Sequence, residues 1–328
     1  MPQLVLDLHH TEADAARSLR ADVLAGLTAT PKWLPPKWFY DARGSALFED
    51  ITRLPEYYPT RAEREVLDRE ADEIARVTGA ETLVELGSGS SEKTRLLLDA
   101  LHRQGLLKRF VPLDVSTSAL AMAASSIASE YTDVEVHGVV GDFTAHLDAI
   151  PAVPNRMIAF LGGTIGNLEP EERAVFLRSV RDTLEPGEWL LLGADLVKDP
   201  GVLVPAYDDA AGVTAEFNRN VLHVLNRELG ADFEVGEFEH VARWNTGAER
   251  IEMVLRARRA MAVTVAELGL NLSFAEGEEL RTETSAKFRR QGLADELRAA
   301  GLALRRFWTD SAGRFSVALA QVTATTGG

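Results

Sequence analysis

The sequence predicts an α/β fold, a doubly wound parallel sheet ending in an antiparallel hairpin, joined by a smaller second domain. Three observations carry this expectation. Short apolar runs alternate with helical patterns through the middle of the chain, the last two strand-like runs are separated by one tight turn, and two segments fall outside the alternation.

Along the chain, Glu63 to Thr78 places Val66, Leu67, Ile74 and Val77 at helical spacing, and Gly79 follows as a stop signal. Apolar runs that suit buried strands come next: Thr82 to Leu86, Arg109 to Leu113, Val134 to Val140, Met157 to Leu161, and Trp189 to Gly193. Helical patterns lie between them at Ser91 to Arg103, Thr117 to Tyr131 and Pro170 to Leu184. Strand and helix in strict alternation imply parallel strands with crossover helices. Leu302 to Thr309 and Arg314 to Val322, separated by Asp310-Ser311-Ala312-Gly313, read as the closing hairpin. The Pro- and aromatic-rich Pro31 to Pro59 and the stretch Leu196 to Ser285, with an Asn245-Thr246-Gly247 turn, form the second domain. The expected boundaries are therefore 61–195 and 286–328 for the sheet domain, and 1–60 and 196–285 for the smaller one.

Composition narrows the function. With 35 Lys and Arg against 50 Asp and Glu, a formal charge of -15 repels a polyanion, so nucleic acid is not expected as a partner. The densest basic cluster, Arg256, Arg258 and Arg259, has a spacing that suits one solvated face of a strand. The absence of Cys rules out disulfides and zinc-thiolate sites, and Met1 to His10 shows no apolar leader segment. No run approaches the roughly 18 apolar residues of a membrane span. A cytoplasmic monomer with no membrane partner is expected. The seven His residues form no metal-ligand pattern, and no metal is expected.

Three signals carry chemistry. Glu85-Leu86-Gly87-Ser88-Gly89-Ser90-Ser91-Glu92-Lys93 leaves a strand and enters a helix, where glycines let a nucleotide-like ligand approach the backbone. A dinucleotide fingerprint would place a third glycine where Glu92 stands, and Glu85 before the first glycine suits a cationic ligand better than two phosphates. Asp114, at the end of the second strand, is placed to accept the hydroxyls of a ribose, or equally to cap the helix from Thr117. Gly141-Asp142-Phe143 after the third strand suits an adenine amino group and ring face, or an ordinary acidic turn with a buried Phe. All three occur in order at the ends of successive strands.

This order resembles the Rossmann-like class I S-adenosylmethionine-dependent methyltransferases. A more specific resemblance lies outside the sheet. Pro35 to Glu49 (PPKWFYDARGSALFE) and Leu54 to Arg61 (LPEYYPTR) look like the amino-terminal signature of the histidine-specific N-α-methyltransferases of ergothioneine biosynthesis. Leu161-Gly162-Gly163-Thr164-Ile165-Gly166-Asn167 and Leu280 to Lys287 (LRTETSAK) are similar to two further motifs of that family. The resemblance runs from about Lys32 to the carboxyl end.

The resemblance implies S-adenosyl-L-methionine as cofactor, S-adenosyl-L-homocysteine as product, and L-histidine with its mono- and dimethylated intermediates as substrates. It implies trimethylation of the α-amino nitrogen to hercynine; the alternative is a methyltransferase acting on another amino acid or a phenol. Gly87, Lys93, Asp114, Asp142 and Phe143 would hold the cofactor, with Tyr40 at its reactive end. Tyr57, Gly162, Asn167, Tyr207, Met253, Glu283 and Ser285 would surround the amino acid. The side chains suit these roles: Asn167 accepts from an amine, Tyr207 donates to a carboxylate, Glu283 and Ser285 engage imidazole nitrogens, and Met253 is an adaptable wall. Taken without the resemblance, Asn167 reads as a left-handed loop residue, Tyr57 and Tyr58 as core aromatics, and Glu283 as a solvated acid before a helix capped by Ser285. Transfer to an amine needs alignment, dryness and a free lone pair rather than a dedicated base. Tyr40 and Asn167 are the expected catalytic residues, and Tyr40 and Phe48 are the expected hosts for the growing alkylammonium.

Overall fold

The structure, a computed structural model, describes residues 4–89 and 91–323. Ser90 of the glycine-rich turn and residues 1–3 and 324–328 at the ends of the expected domains lie outside the described residues. In chain order the first half holds β1 (Leu4–Leu8), α1 (Glu12–Thr28), β2 (Lys32–Trp33), α2 (Ala42–Arg53), α3 (Pro59–Thr78), β3 (Thr82–Leu86), α4 (Thr94–Arg103), β4 (Arg109–Asp114), α5 (Thr117–Glu130) and β5 (Glu135–Val140). Then come β6 (Arg156–Phe160), α6 (Pro170–Thr183), β7 (Trp189–Asp195), α7 (Pro200–Leu203), α8 (Val213–Leu229), β8 (Phe238–Asn245) and β9 (Arg250–Ala257). The last elements are β10 (Met261–Val265), β11 (Leu270–Phe274), β12 (Glu279–Ala286), α9 (Arg290–Ala299), β13 (Leu302–Thr309) and β14 (Phe315–Val322).

Contacts divide the chain into two units: the chain up to Thr11 with Arg61–Leu196 and everything from Phe288 on, and Glu12–Thr60 with Val197–Lys287. The larger unit is built on one eight-stranded sheet in the order β1-β5-β4-β3-β6-β7-β14-β13. Its first six members run parallel, and β14 pairs antiparallel with both β7 and β13. β3 and β7 are buried along their whole length, which is why they read as mainly apolar runs. Helix α3 turns Val66, Leu67 and Ile74 into the core and stops at Gly79, whose φ of +55° ends the helix.

Two features of the larger unit depart from the sequence expectation. Leu4–Leu8, expected with the smaller domain, forms an edge strand parallel to β5, with Asp7 bonded to His137 at 2.7 Å. It is one short segment whose three leucines stay partly exposed, so its pattern carries no burial signal. The helix expected from Ser91 begins at Thr94, because Ser91 sits at φ +52° with its hydroxyl donated to Glu85 at 2.7 Å. The closing hairpin is present as expected, and its later strand, β14, lies between β7 and β13.

In the smaller unit a four-stranded sheet, β2-β12-β9-β8, is accompanied by the separate β10–β11 hairpin. Helix α8 packs against β8, β9 and α2. The turn expected at Asn245-Thr246-Gly247 joins β8 to β9; Asn245 Oδ1 accepts from Ala248 N at 3.1 Å, and the left-handed residue is Glu249. The arginine cluster is not one strand face: β9 ends at Ala257, Arg256 pairs with Glu279 at 2.9 Å, and Arg259 pairs with Glu234 at 2.7 Å. Among the described residues no helix is long and apolar enough to cross a membrane.

The parallel register of β6 on β7 begins at a buried ion pair. Arg156 donates Nε to Glu188 Oε2 at 2.9 Å and its backbone N–H to Oε1 at 2.8 Å, and both side chains are almost wholly covered. Arg156→Ala strands the carboxylate, so it is expected to lower stability by about 3–5 kcal/mol in a urea titration.

Candidate functional site

In the larger unit the candidate residues stand at the carboxyl ends of β3, β4, β5 and β6, where open parallel sheets leave space for ligands. After β3, Gly87 and Gly89 take φ of +67° and +50°, and nothing lies near the Cβ either would carry. These glycines answer a conformational demand and leave the ground above them open. Gly87 and Ser88 donate their N–H groups to Leu113 O at 2.8 and 3.2 Å, which ties the turn to β4. Asp114 completes the tie: its Oδ2 accepts from Gly89 N at 3.0 Å and its Oδ1 from Ser116 N at 2.9 Å. The cap of α5 is Ser116, not Asp114, so the carboxylate keeps lone pairs for a ligand. Beneath the turn Glu85 is buried and accepts from Ser91 and Thr94. Burial pushes its pKa up to about 7 against the pull of those hydroxyls and Lys93. The buried Ser88 hydroxyl has no hydrogen-bond partner among the described residues.

Lys93 is paired with Glu63 of α3, a carboxylate with no exposure at all. The same carboxylate accepts the N–H of Gly162 at 2.8 and 3.0 Å. Gly162 and Gly163 follow β6 with φ of +82° and +72° and lead into the turn that carries Asn167. Asn167 is half-buried with right-handed geometry, and its amide makes no hydrogen bond among the described residues. After β5, Asp142 accepts from Thr144 N at 2.8 Å and Thr144 Oγ1 at 2.6 Å, all through Oδ1. The Phe143 ring rests on Phe160 and Phe176, with centroids 5.0 and 5.8 Å away.

In the smaller unit the candidates gather around aromatic rings and one face of β12. Tyr40 ends the short helical turn Pro36–Phe39, and Asn220 of α8 fixes both its flanks by donating to Phe39 O at 3.1 Å and Asp41 Oδ1 at 2.7 Å. The Tyr40 ring meets Phe217 at 5.4 Å and Phe48 at 5.6 Å, and Phe48 meets Tyr57 at 6.1 Å. Although 45% of Tyr40 is exposed, protein atoms crowd its hydroxyl; this and the nearby Glu283 carboxylate hold its pKa well above the ordinary phenol value.

Glu283 and Met253 are directly opposed in the β12–β9 register, so their side chains share a face. The register shifts between Arg281 and Glu283, and Thr282 at that irregularity donates to Asn218 Oδ1 at 2.6 Å and to Met253 O at 3.1 Å. Asn218 in turn donates to His240 Nδ1 at 2.8 Å, and His240 Nε2 donates to Tyr207 O at 2.8 Å. Burial keeps His240 neutral by lowering its pKa, in accord with its accepting at Nδ1. Two residues past Glu283, Ser285 Oγ lies 2.8 Å from the Tyr207 hydroxyl, and Lys287 Nζ donates to both, at 2.7 and 2.8 Å. Glu283 itself has no hydrogen-bond partner among the described residues. Burial raises its pKa to about 7, with Lys287 pulling the other way.

The candidate residues thus divide between the units. Gly87, Lys93, Asp114, Asp142 and Phe143 share the larger one with Gly162 and Asn167, which were expected among the amino-acid ligands. Tyr40 belongs to the smaller unit with Tyr57, Tyr207, Met253, Glu283 and Ser285. Glu283 and Ser285 lie in a strand, not before a capped helix, while Tyr57 and Tyr58 are indeed buried. Sequence reasoning missed Glu63, Phe217, Asn218, His240 and Lys287. Only Lys287 left a trace, as the last residue of a motif already singled out. Among the described residues no group of three or more metal-ligating side chains occurs.

Comparison with known proteins adds three findings. The histidine-specific, SAM-dependent methyltransferase family matches residues 19–322. The histidine N-alpha-methyltransferase of Mycolicibacterium smegmatis is 60% identical over 306 residues, 93% of this chain and 95% of that protein, and its Mycobacterium tuberculosis counterpart is 57% identical over 313 residues, 95% and 98% of the two chains. Ergothioneine biosynthesis protein 1 of Neurospora crassa is 36% identical over 205 residues, 61% of this chain but 23% of that longer protein.

The raised pKa of Glu283 has a measurable consequence. With about 7 in the folded state and about 4.3 unfolded, the folded protein binds more protons between those values, so this group makes stability fall as pH rises through that window. Glu283→Gln removes the charge, and is expected to raise the urea midpoint at pH 8 relative to the parent while leaving it nearly unchanged at pH 4.5. Glu85 continues to titrate in both proteins.

Proposed function

From the premise that this chain belongs to the S-adenosylmethionine-dependent histidine-specific methyltransferases, we infer that it methylates the α-amino nitrogen of L-histidine, as part of ergothioneine biosynthesis. We further propose three successive transfers, giving hercynine and three molecules of S-adenosyl-L-homocysteine. The observation that carries the substrate assignment is Glu283: a buried acid with no hydrogen-bond partner among the described residues, level with the apolar Met253 and two residues before Ser285 on the same strand. An imidazole N–H meets such an acceptor, and a ring lacking it leaves the carboxylate unpaired.

The residues of the larger unit suit the cofactor. Two open glycines, a buried Ser88 hydroxyl with no partner among the described residues and a carboxylate oriented by two backbone N–H groups suit a nucleoside. Asp114 would take the ribose hydroxyls, Asp142 and Phe143 the adenine, and Lys93, with Gly87, the amino-acid end. When bound, S-adenosylmethionine supplies an electrophilic sulfonium methyl.

The chain's own work is to bind, orient and dry the acceptor. Asn167, with its amide uncommitted, would accept from the substrate amine and aim its lone pair, with Gly162 alongside. Tyr57 and Tyr207 would border the amino acid. Tyr40, whose phenol resists ionisation, is suited to remain a neutral hydrogen-bond donor and ring face, not a base. Tyr40 with Phe48 offers aromatic faces to an alkylammonium that gains methyls and loses N–H groups, a change that hydrogen-bond acceptors alone would not tolerate. The reading takes the enzyme to be a cytoplasmic monomer without metal, nucleic-acid or membrane partners, in keeping with its charge of -15 and lack of Cys.

Mass spectrometry of histidine incubated with enzyme and S-adenosylmethionine is expected to show the substrate gaining three methyl groups; the absence of any gain, or methylation only of another amino acid or a phenol, would overturn the assignment. Asp114→Ala is expected to weaken S-adenosylhomocysteine binding in calorimetry by about 1.5–3 kcal/mol for each charge-assisted bond lost. Unaltered affinity in the folded variant would remove Asp114 from the cofactor site.

A further inference from the structure

Lys287 is only 4% exposed, an unusual place for an ammonium. Its Nζ donates to Tyr207 Oη at 2.8 Å and Ser285 Oγ at 2.7 Å, and it lies 4.6 Å from the centre of the Tyr207 ring. The two hydroxyls are themselves 2.8 Å apart. The three groups close a triangle in which each hydroxyl gives up one lone pair to the ammonium and one hydroxyl donates to the other. With the Tyr207 phenol donating to Ser285 Oγ, the O–H left to turn outward is that of Ser285. Glu283 and Ser285 occupy alternate positions of β12 and Lys287 follows one residue past its end, so the acceptor, the hydroxyl and the cation follow one another in order along the chain.

We propose that Lys287 is the positioning residue of the substrate pocket, holding the Tyr207 and Ser285 hydroxyls so that a single O–H, beside the Glu283 carboxylate, meets an imidazole ring with one donor and one acceptor. This rests on the histidine reading above. A neutral imidazole carries one N–H and one bare nitrogen, and matches such a pair. Lys287 acts through the two hydroxyls and through its charge, which keeps Glu283 ionised to a lower pH than burial alone would allow. The ammonium needs no contact with the substrate.

The test compares Lys287→Met and Lys287→Arg with the parent, measuring kcat and KM for histidine from pH 6 to 9 and S-adenosylhomocysteine affinity by calorimetry. Lys287→Met is expected to lose about ten- to a hundredfold in kcat/KM, chiefly in KM, because the hydroxyls lose a charged donor. Its acidic limb should move to higher pH, since Glu283 loses its neighbouring cation, while cofactor-product affinity stays. Lys287→Arg should keep the limb in place yet raise KM, as a planar fork does not reproduce the triangle. Adding Tyr207→Phe to Lys287→Met should cost less than it does in the parent. The proposal is overturned by an unmoved limb in Lys287→Met, by additive losses, or, if that variant does not fold, by parental KM in Lys287→Arg. Absence of histidine methylation by the parent protein would instead strike the underlying reading.

Discussion

A carboxylate enclosed without exposure must find donors, and Glu63 finds them in the Lys93 ammonium and the Gly162 N–H. Those two contacts join three parts of the larger unit that are far apart in sequence: helix α3, the turn before α4, and the end of β6. The arrangement dictates residue types around it. A Cβ on Gly193 of β7 would run into Glu63 Oε1, so the strand passing beneath has glycine there. The left-handed backbone of Gly162, which lets its N–H reach the acid, likewise calls for glycine. Lys93, whose long side chain would otherwise sample many rotamers, is held beside the glycine-rich turn.

The smaller unit achieves the same kind of coupling with neutral groups. Helix α8 sends Asn220 to the backbone around Tyr40 and Asn218 to the irregularity at Thr282, while Phe217 packs on the Tyr40 ring. One helix thereby sets the aromatic group and the face of β12 together. His240 extends the chain of hydrogen bonds to the backbone of Tyr207, and does so only as the neutral tautomer with its proton on Nε2. Asn218, Thr282 and His240 are buried with their side-chain hydrogen bonds made to one another and to the backbone, which makes the network specific in geometry.

The alternation of apolar runs and helical patterns was readable because parallel strands covered on both faces are mostly apolar; β3 and β7 are buried along their whole length, with Thr82, Glu85 and Asp195 as their polar members. The family signatures were readable as strings, and comparison bears out that recognition. What composition and periodicity did not convey is pairing. Glu63 looks like any acid on a charged helix until Gly162, 99 positions later, donates to it. Asn218 looks like a polar residue on the helix Val213–Leu229, and Thr282 like one more alternation in a strand; their bond spans 64 positions. β1 was passed over for a related reason: its leucines remain partly exposed, and its register on Val136 to Val140 is fixed by backbone bonds that carry no side-chain signature.

The placement of β14 inside β13 bears on how the chain is made. The smaller unit has its last residue at Lys287, whereas the larger one, begun earlier, awaits Phe315–Val322, a strand that pairs with β7 on one side and β13 on the other. During vectorial synthesis the smaller unit is thus complete in sequence while the larger sheet still ends at β7, an open apolar edge. Loss of the final strand would remove an interior member of the sheet, not a border. A chain interrupted before Phe315 carries every residue of the smaller unit but leaves the β7 edge of the larger sheet unpaired, the kind of exposed apolar seam that aggregates.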